Sequence, residues 1–172
     1  MRMDDGEHIK DVYAHFGLAV YLAQVLEHGI MNALACTDLI PRCVGRIKSR
    51  KQWTDEFSAF MQGHFERPLG ALIKVFKQHV STPSGLEQTL GQALKRRNIL
   101  AHGYFRQRAA EFLSFAGREA MIKELQEAQR LFRDADAELE AVAKPFREQI
   151  GFTDDRLKTA YEEFCRKARA NC

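Results

Sequence analysis

Residues 84–105 read SGLEQTLGQALKRRNILAHGYF, and their spacing decides the fold class. Leu86, Leu90, Ala93, Leu100 and Tyr104 fall on one stripe at helical period. Ser84 and Glu87 have the spacing of a capping box, with Pro83 before them, which predicts the helix start. Gly103 predicts a left-handed residue that stops it. Position 97 belongs to the apolar stripe, yet it is Arg97. A guanidinium on a core face is costly unless it is paired. Asn98 follows directly, and His102 lies in the last turn, where the negative end of the helix dipole favours positive charge. Asn98 and His102 share a face, whereas Arg97 is rotated about 140° from His102. One such helix alone does not converge arginine and histidine on one atom.

Outward from this stretch the chain stays helical. A first helix is expected over about residues 7–36, with Ile9, Tyr13, Phe16, Val20, Ala23, Ile30 and Leu34 in a steady rhythm. A connector with Pro41 and Gly45 is expected over residues 37–53. A second helical segment starts near Thr54, with Asp55 and Glu56 suited to a first turn. Its Phe57, Phe60, Met61 and Phe65 are expected to face inward, with His64 a satisfied core residue. Pro68 kinks or restarts it, and Leu69, Leu72, Ile73 and Phe76 continue to about His79. Residues 106–114 show no clear helix. A long helix over about 115–146 carries Ile122, Leu125, Ala128, Phe132, Ala135, Leu139, Val142 and Phe146. Gly151 stops it, and a last helix begins at Thr153. Leu157, Ala160, Tyr161, Phe164 and Ala168 give that helix an apolar side for the bundle or for a second subunit. The expectation is an all-α single domain: an antiparallel four-helix up-and-down bundle with an additional C-terminal helix.

Composition agrees. The 172 residues are 45% hydrophobic and 28% charged, with only four prolines. A chain of this size buries about 70% of its unfolded surface as one domain. The net charge of +3 permits an RNA partner without demanding one. No continuous apolar run reaches membrane-spanning length and the N-terminus lacks a hydrophobic signal core, so a cytoplasmic protein with no membrane span is expected. Cys36 and Cys43, like Cys165 and Cys172, have six residues between them, which is neither a zinc nor a redox spacing. Reduced thiols are expected, and no metal or other cofactor.

Two features bear on function. Glu27 interrupts the apolar seam of the first helix, flanked by Val12, Ala19, Leu26 and Ala33. It either meets Arg97, the matching anomaly, or reaches solvent at the seam's edge. The connector carries Arg46, Lys48, Arg50, Lys51 and Trp53. Such residues grip a phosphate backbone and stack a base, or form a solvated loop pinned by its tryptophan.

The run Arg97-Asn98, a three-residue spacer, His102, Gly103 and Tyr104 resembles the motif of the HEPN domains, small helical proteins that include metal-independent endoribonucleases of toxin–antitoxin and phage-defence systems. Arg96 also satisfies the looser spacing that the family allows. The resemblance implies Arg97, Asn98 and His102 as catalytic residues, and a homodimer in which two motifs line one cleft. It also implies a cognate antitoxin of the MNT nucleotidyltransferase type, or another defence protein, as a partner. In the toxins that pair with such transferases the motif tyrosine accepts AMP, a role that would fall to Tyr104. Alternatively Tyr104 closes the apolar seam of its helix. The chemistry fits the residue types. A histidine near neutrality can take the proton of an RNA 2′-hydroxyl. An arginine can hold the phosphate under attack. Asn98 can orient His102 or bond a phosphate oxygen. The products would be a 2′,3′-cyclic phosphate and a free 5′-hydroxyl. A non-catalytic RNA- or nucleotide-binding module and a helical interaction module are the alternatives.

Overall fold

A computed structural model describes residues 5–170, so Cys172 and the thiol expectation for it lie outside the described residues. Helix α1 spans Asp5–Leu34 and passes through a π-helical turn at Ala35–Leu39 into α2, Ile40–Cys43. Next come α3 (Arg50–Phe65), α4 (Leu69–His79) and α5 (Ser84–His102). Two short helices follow, α6 (Tyr104–Gln107) and α7 (Ala109–Phe112), before α8 (Phe115–Gln149) and α9 (Asp154–Ala170). No strand occurs among the described residues, and the chain is all-α.

Several boundaries differ from expectation, each for a local reason. The expected connector is mostly helix. Pro41 follows the π-helical turn inside a continuous helical run, where the ladder lacks its N–H. Gly45, at φ +78°, then turns the chain. Ser49, not Thr54, starts α3, because its hydroxyl accepts a hydrogen bond from the Gln52 N–H at 3.1 Å. Pro68 precedes α4 and restarts the helix. Ser84 is already the first residue of α5, and Glu87 pairs with Lys77 at 2.8 Å, so the capping box does not form. Gly103 ends α5 with φ −168°, extended rather than left-handed. Within residues 106–114, expected to show no clear helix, α6 continues to Gln107 and α7 covers Ala109–Phe112, and Ser114 caps α8 through the Gly117 N–H. Gly151 has the positive φ, +89°, that stops α8.

The centre of the fold is the pairing of α1 with α8. His8 meets Arg118 and Glu119, His15 meets Gln129, and Gly29 lies against Asp136 and Leu139. Residue numbers rise together along this contact, so the two helices run parallel. In α5 the order reverses. Thr89, Arg96 and Tyr104 meet Glu138, Glu124 and Met121 in turn, and Arg97 meets Glu27 of α1. Helix α5 is therefore antiparallel to both neighbours. The antiparallel expectation holds for α5 but not for α1 against α8. Between them the chain passes through α3 and α4, and Phe65 at the end of α3 returns to the His28 ring.

Leu26, Ile30, Leu125, Phe132 and Leu139 are among the buried side chains of this core, with Phe76 from α4 and Leu90 from α5. The run Asp5–Cys43 contains a window of mean hydropathy 1.2, long and apolar enough by composition to cross a membrane; 44% of that window is buried inside the bundle. Phe65, expected inside, is exposed, because α3 buries no residue fully. Helix α9 likewise buries nothing, and Tyr161 and Phe164 stay exposed, so its apolar side does not pack back on the bundle.

One polar cluster closes the end of the α1–α8 pair. His8 is fully buried and stacks on Phe115 at 4.2 Å. Its Nδ1 accepts from Arg118 Nε at 3.2 Å, so its Nε2 donates to Glu119 at 2.7 Å. The buried Arg118 also donates to the Phe112 carbonyl and pairs with Asp5. Replacing Arg118→Ala leaves His8 and that carbonyl without their donor. Urea unfolding should show a loss of about 1–3 kcal/mol; a change within about 0.5 kcal/mol would mean that the cluster does not hold the helices.

Candidate functional site

The seam anomalies meet. Arg97 Nε donates to Glu27 Oε1 at 2.9 Å, joining α5 to α1. Neither side chain is fully buried: Arg97 is 27% exposed and Glu27 21%. The terminal nitrogens of Arg97 engage no described residue, and the guanidinium lines a small cavity of about 150 Å³ with Val20, Gln24, Leu100 and Ala101. The bond to Nε fixes the guanidinium while leaving its two outer edges for an anion.

Asn98 and His102 occupy a different side of α5. Both are exposed and hydrogen-bond to no described residue. Their separation of one helical turn places them on a common face, at the C-terminal end where α5 gives way to Gly103. His102 does not line the cavity that holds Arg97. One chain thus brings Asn98 and His102 together and Arg97 to Glu27, but it does not converge Arg97 with His102.

Tyr104 lies elsewhere than at the mouth of a cleft. It is the first residue of α6 and only 2% exposed. Its hydroxyl donates to the Met121 carbonyl of α8 at 3.2 Å, and its ring packs on Phe16 and Phe105. Burial, followed by the nearby Glu124 carboxylate, pushes the hydroxyl's pKa well above its ordinary value. An AMP group on that oxygen would have to displace this packing and the bond to Met121. The helix does not stop at Gly103 in a way that swings the tyrosine outward; α6 turns it into the core.

A carboxylate not singled out from the sequence organises the motif's surroundings. Glu124 of α8 binds Arg96 Nη1 at 2.6 Å, and Arg108 through Nε at 2.8 Å and Nη2 at 3.0 Å. The hydrogen bonds from Arg108 lead, with Arg96 adding to them, in holding the Glu124 carboxyl below its usual range. Arg96 is therefore engaged and not a free RNA-binding side chain. A signal did exist in the sequence: Glu124 falls three residues after Met121 and four before Ala128, on the core-facing side of α8.

The basic stretch is divided. Arg46 pairs with Glu56 at 3.3 Å and Lys51 with Asp55 at 2.6 Å, whereas the side chains of Lys48 and Arg50 are exposed and unpaired. Trp53 is half-buried, its ring 5.8 Å from that of Phe57 one turn along the same helix. His64 donates from Nδ1 to the Phe60 carbonyl at 2.8 Å. Cys36, Cys43 and Cys165 are free thiols, and no three metal-ligating side chains cluster among the described residues. No protein-family model, curated protein or solved structure matches the chain.

Two outcomes test this geometry. Glu27→Ala removes the partner of a half-buried guanidinium and should cost about 1–3 kcal/mol in chemical denaturation, less than a fully buried pair would lose because Arg97 keeps access to water. A loss below about 0.5 kcal/mol would show that the pair contributes nothing. Glu124 has a folded-state pKa below its unfolded one. Its stabilisation is therefore present above the ordinary carboxylate pKa of about 4.3 and lost as pH falls through the folded value. Glu124→Gln should flatten the acid limb of a stability–pH profile; an unchanged profile would remove Glu124 from that role.

Proposed function

We propose that the chain is a metal-independent endoribonuclease of the HEPN kind, acting as a homodimer. The observation that carries this reading is the posture of Arg97. It is held by Nε on Glu27 with its outer nitrogens unengaged, on the same helix as the exposed and unpaired Asn98 and His102. Arg108, by contrast, binds Glu124 through two nitrogens, Nε and Nη2.

In this mechanism His102 removes the 2′-hydroxyl proton, the freed oxygen attacks the adjacent phosphorus, and the 5′-oxygen leaves with a proton. Arg97 stabilises the charge on the phosphoryl oxygens. Asn98 orients the histidine or bonds a phosphate oxygen. Because Arg97 and His102 diverge on one chain, the working site takes residues from two copies, and His102 of the partner subunit serves the leaving oxygen. The α1 surface beside Phe105, past the end of α5, suits a second copy: Gly17 is open and Tyr13 is 52% exposed, one helical turn apart on the same line. The exposed side chains of Lys48 and Arg50 supply phosphate contacts outside the cleft. A role as a toxin or phage-defence protein, with an MNT-type transferase or another defence protein as partner, accompanies this reading; control through AMP on Tyr104 does not.

A second reading, a non-catalytic RNA- or nucleotide-binding module, draws on the divergence of Arg97 and His102 within one chain. The test is mixed RNA in EDTA. The chain should cut it, leaving cyclic phosphate ends; His102→Ala should slow cutting by about 10²-fold or more, and Tyr104→Phe should still cut. Binding without cutting selects the second reading. A monomer by light scattering at micromolar concentration would remove the composite site.

A further inference from the structure

A second cavity lies away from the motif. It is a cleft of about 530 Å³ between α1 and the C-terminal half of α8, within the range of small-molecule sites. Val25, Ala33, Leu139 and Ala143 make its apolar wall, and Tyr21 stands at its edge. Asp136 enters from α8. This carboxylate is half-buried and forms no hydrogen bond or ion pair with a described residue. It contrasts with Glu27, Glu124 and Glu140, all of which are paired with arginine. Helix α1 makes room for it: a Cβ at Gly29 would stand 2.7 Å from Asp136 Oδ1, so any other residue there would push the carboxylate aside. Burial and the Glu140 carboxylate push the Asp136 pKa up, the response of a carboxylate that lacks a cation.

The lining favours a cation over an anion. Of its basic side chains, Arg147 is engaged by Glu140, Asp154 and the Phe152 carbonyl, and the His28 ring packs edge-on against Phe65. Gln24 and Asn32 add neutral oxygens able to accept from an N–H donor. Among the described residues no metal-ligand cluster includes Asp136. What remains is an unpaired carboxylate on an apolar wall, with an aromatic ring at the rim to face a cation.

We propose that this cleft binds a small organic amine, with its ammonium on Asp136 and its apolar body along Val25, Ala33, Leu139 and Ala143. The ammonium supplies the partner that the fold withholds from Asp136, and the wall favours an amine with hydrocarbon attached over a bare ammonium ion. The assignment is independent of the ribonuclease reading, because none of Arg97, Asn98 and His102 lines the cleft.

The experiment titrates the full chain with phenethylamine, followed by amide chemical shifts and thermal unfolding, with phenylpropionate as the control of similar shape and opposite charge. Phenethylamine should give saturable shifts at α1 and α8 and raise the thermal midpoint, and phenylpropionate should do neither. Asp136→Asn removes an unpaired charge, so it should fold at least as stably as the parent and bind the amine about tenfold or more weakly. Val25→Trp fills the half-buried wall and should weaken binding while leaving the carboxylate in place. Absence of saturable shifts, equal binding of phenylpropionate, or full affinity in both variants would overturn the proposal.

Discussion

The interface on which this structure depends is the parallel contact of α1 with α8. Its inner faces carry small residues, Ala19 and Ala23 on one helix and Ala128 and Ala135 on the other, among Leu26, Ile30, Leu125 and Phe132. Small side chains let two long helices approach closely, and the larger ones fill the space between them. Polar clusters sit at both ends of this seam. His8 and Arg118 close one end, and at the other Arg147 joins α8 to the first residue of α9. Everything else is laid on this pair. Slippage by one turn would unpair His8 and drive the α1 backbone into the Asp136 side chain.

Helix α5 is fixed on that pair by two successive arginines pointing to different neighbours. Arg96 reaches Glu124 on α8, and Arg97 reaches Glu27 on α1. Together with the buried Leu90, Ala93 and Leu100 they set the rotation of α5 about its own axis. Once that rotation is set, Asn98 and His102 have no direction left but outward. The buried Tyr104 secures the end of the helix through the Met121 carbonyl. The outward face of the motif thus follows from a set of inward contacts, and ion pairs that are partly wet act here as orienting devices more than as large sources of stability.

Asp136 and Tyr104 show how residues of ordinary appearance acquire opposite environments. Tyr104, on the apolar stripe of its helix, goes fully inside by way of the short helix that follows Gly103. Asp136, unremarked in a charged stretch of α8, is left half-buried without a cation because α1 offers it only a glycine. Neither outcome is a property of the residue's own helix; each depends on which neighbour lies across from it.

The sequence by itself determined the helical character of the chain, the apolar stripes of α1, α5 and α8, and the pairing need of Glu27 and Arg97. These are local consequences of period and of the cost of burying charge, so they are legible residue by residue. The resemblance of Arg97, Asn98 and His102 to a catalytic motif is equally a matter of spacing along one helix. Tertiary structure alone decided the parallel course of α1 and α8, since direction depends on how many times the chain reverses in between. It also decided the roles of Glu124 and Arg108, the bond from Tyr104 to the Met121 carbonyl and the unpaired state of Asp136. Each of these arises from side chains far apart in sequence that meet across helices, and helical periodicity places a residue on a face without saying what stands opposite.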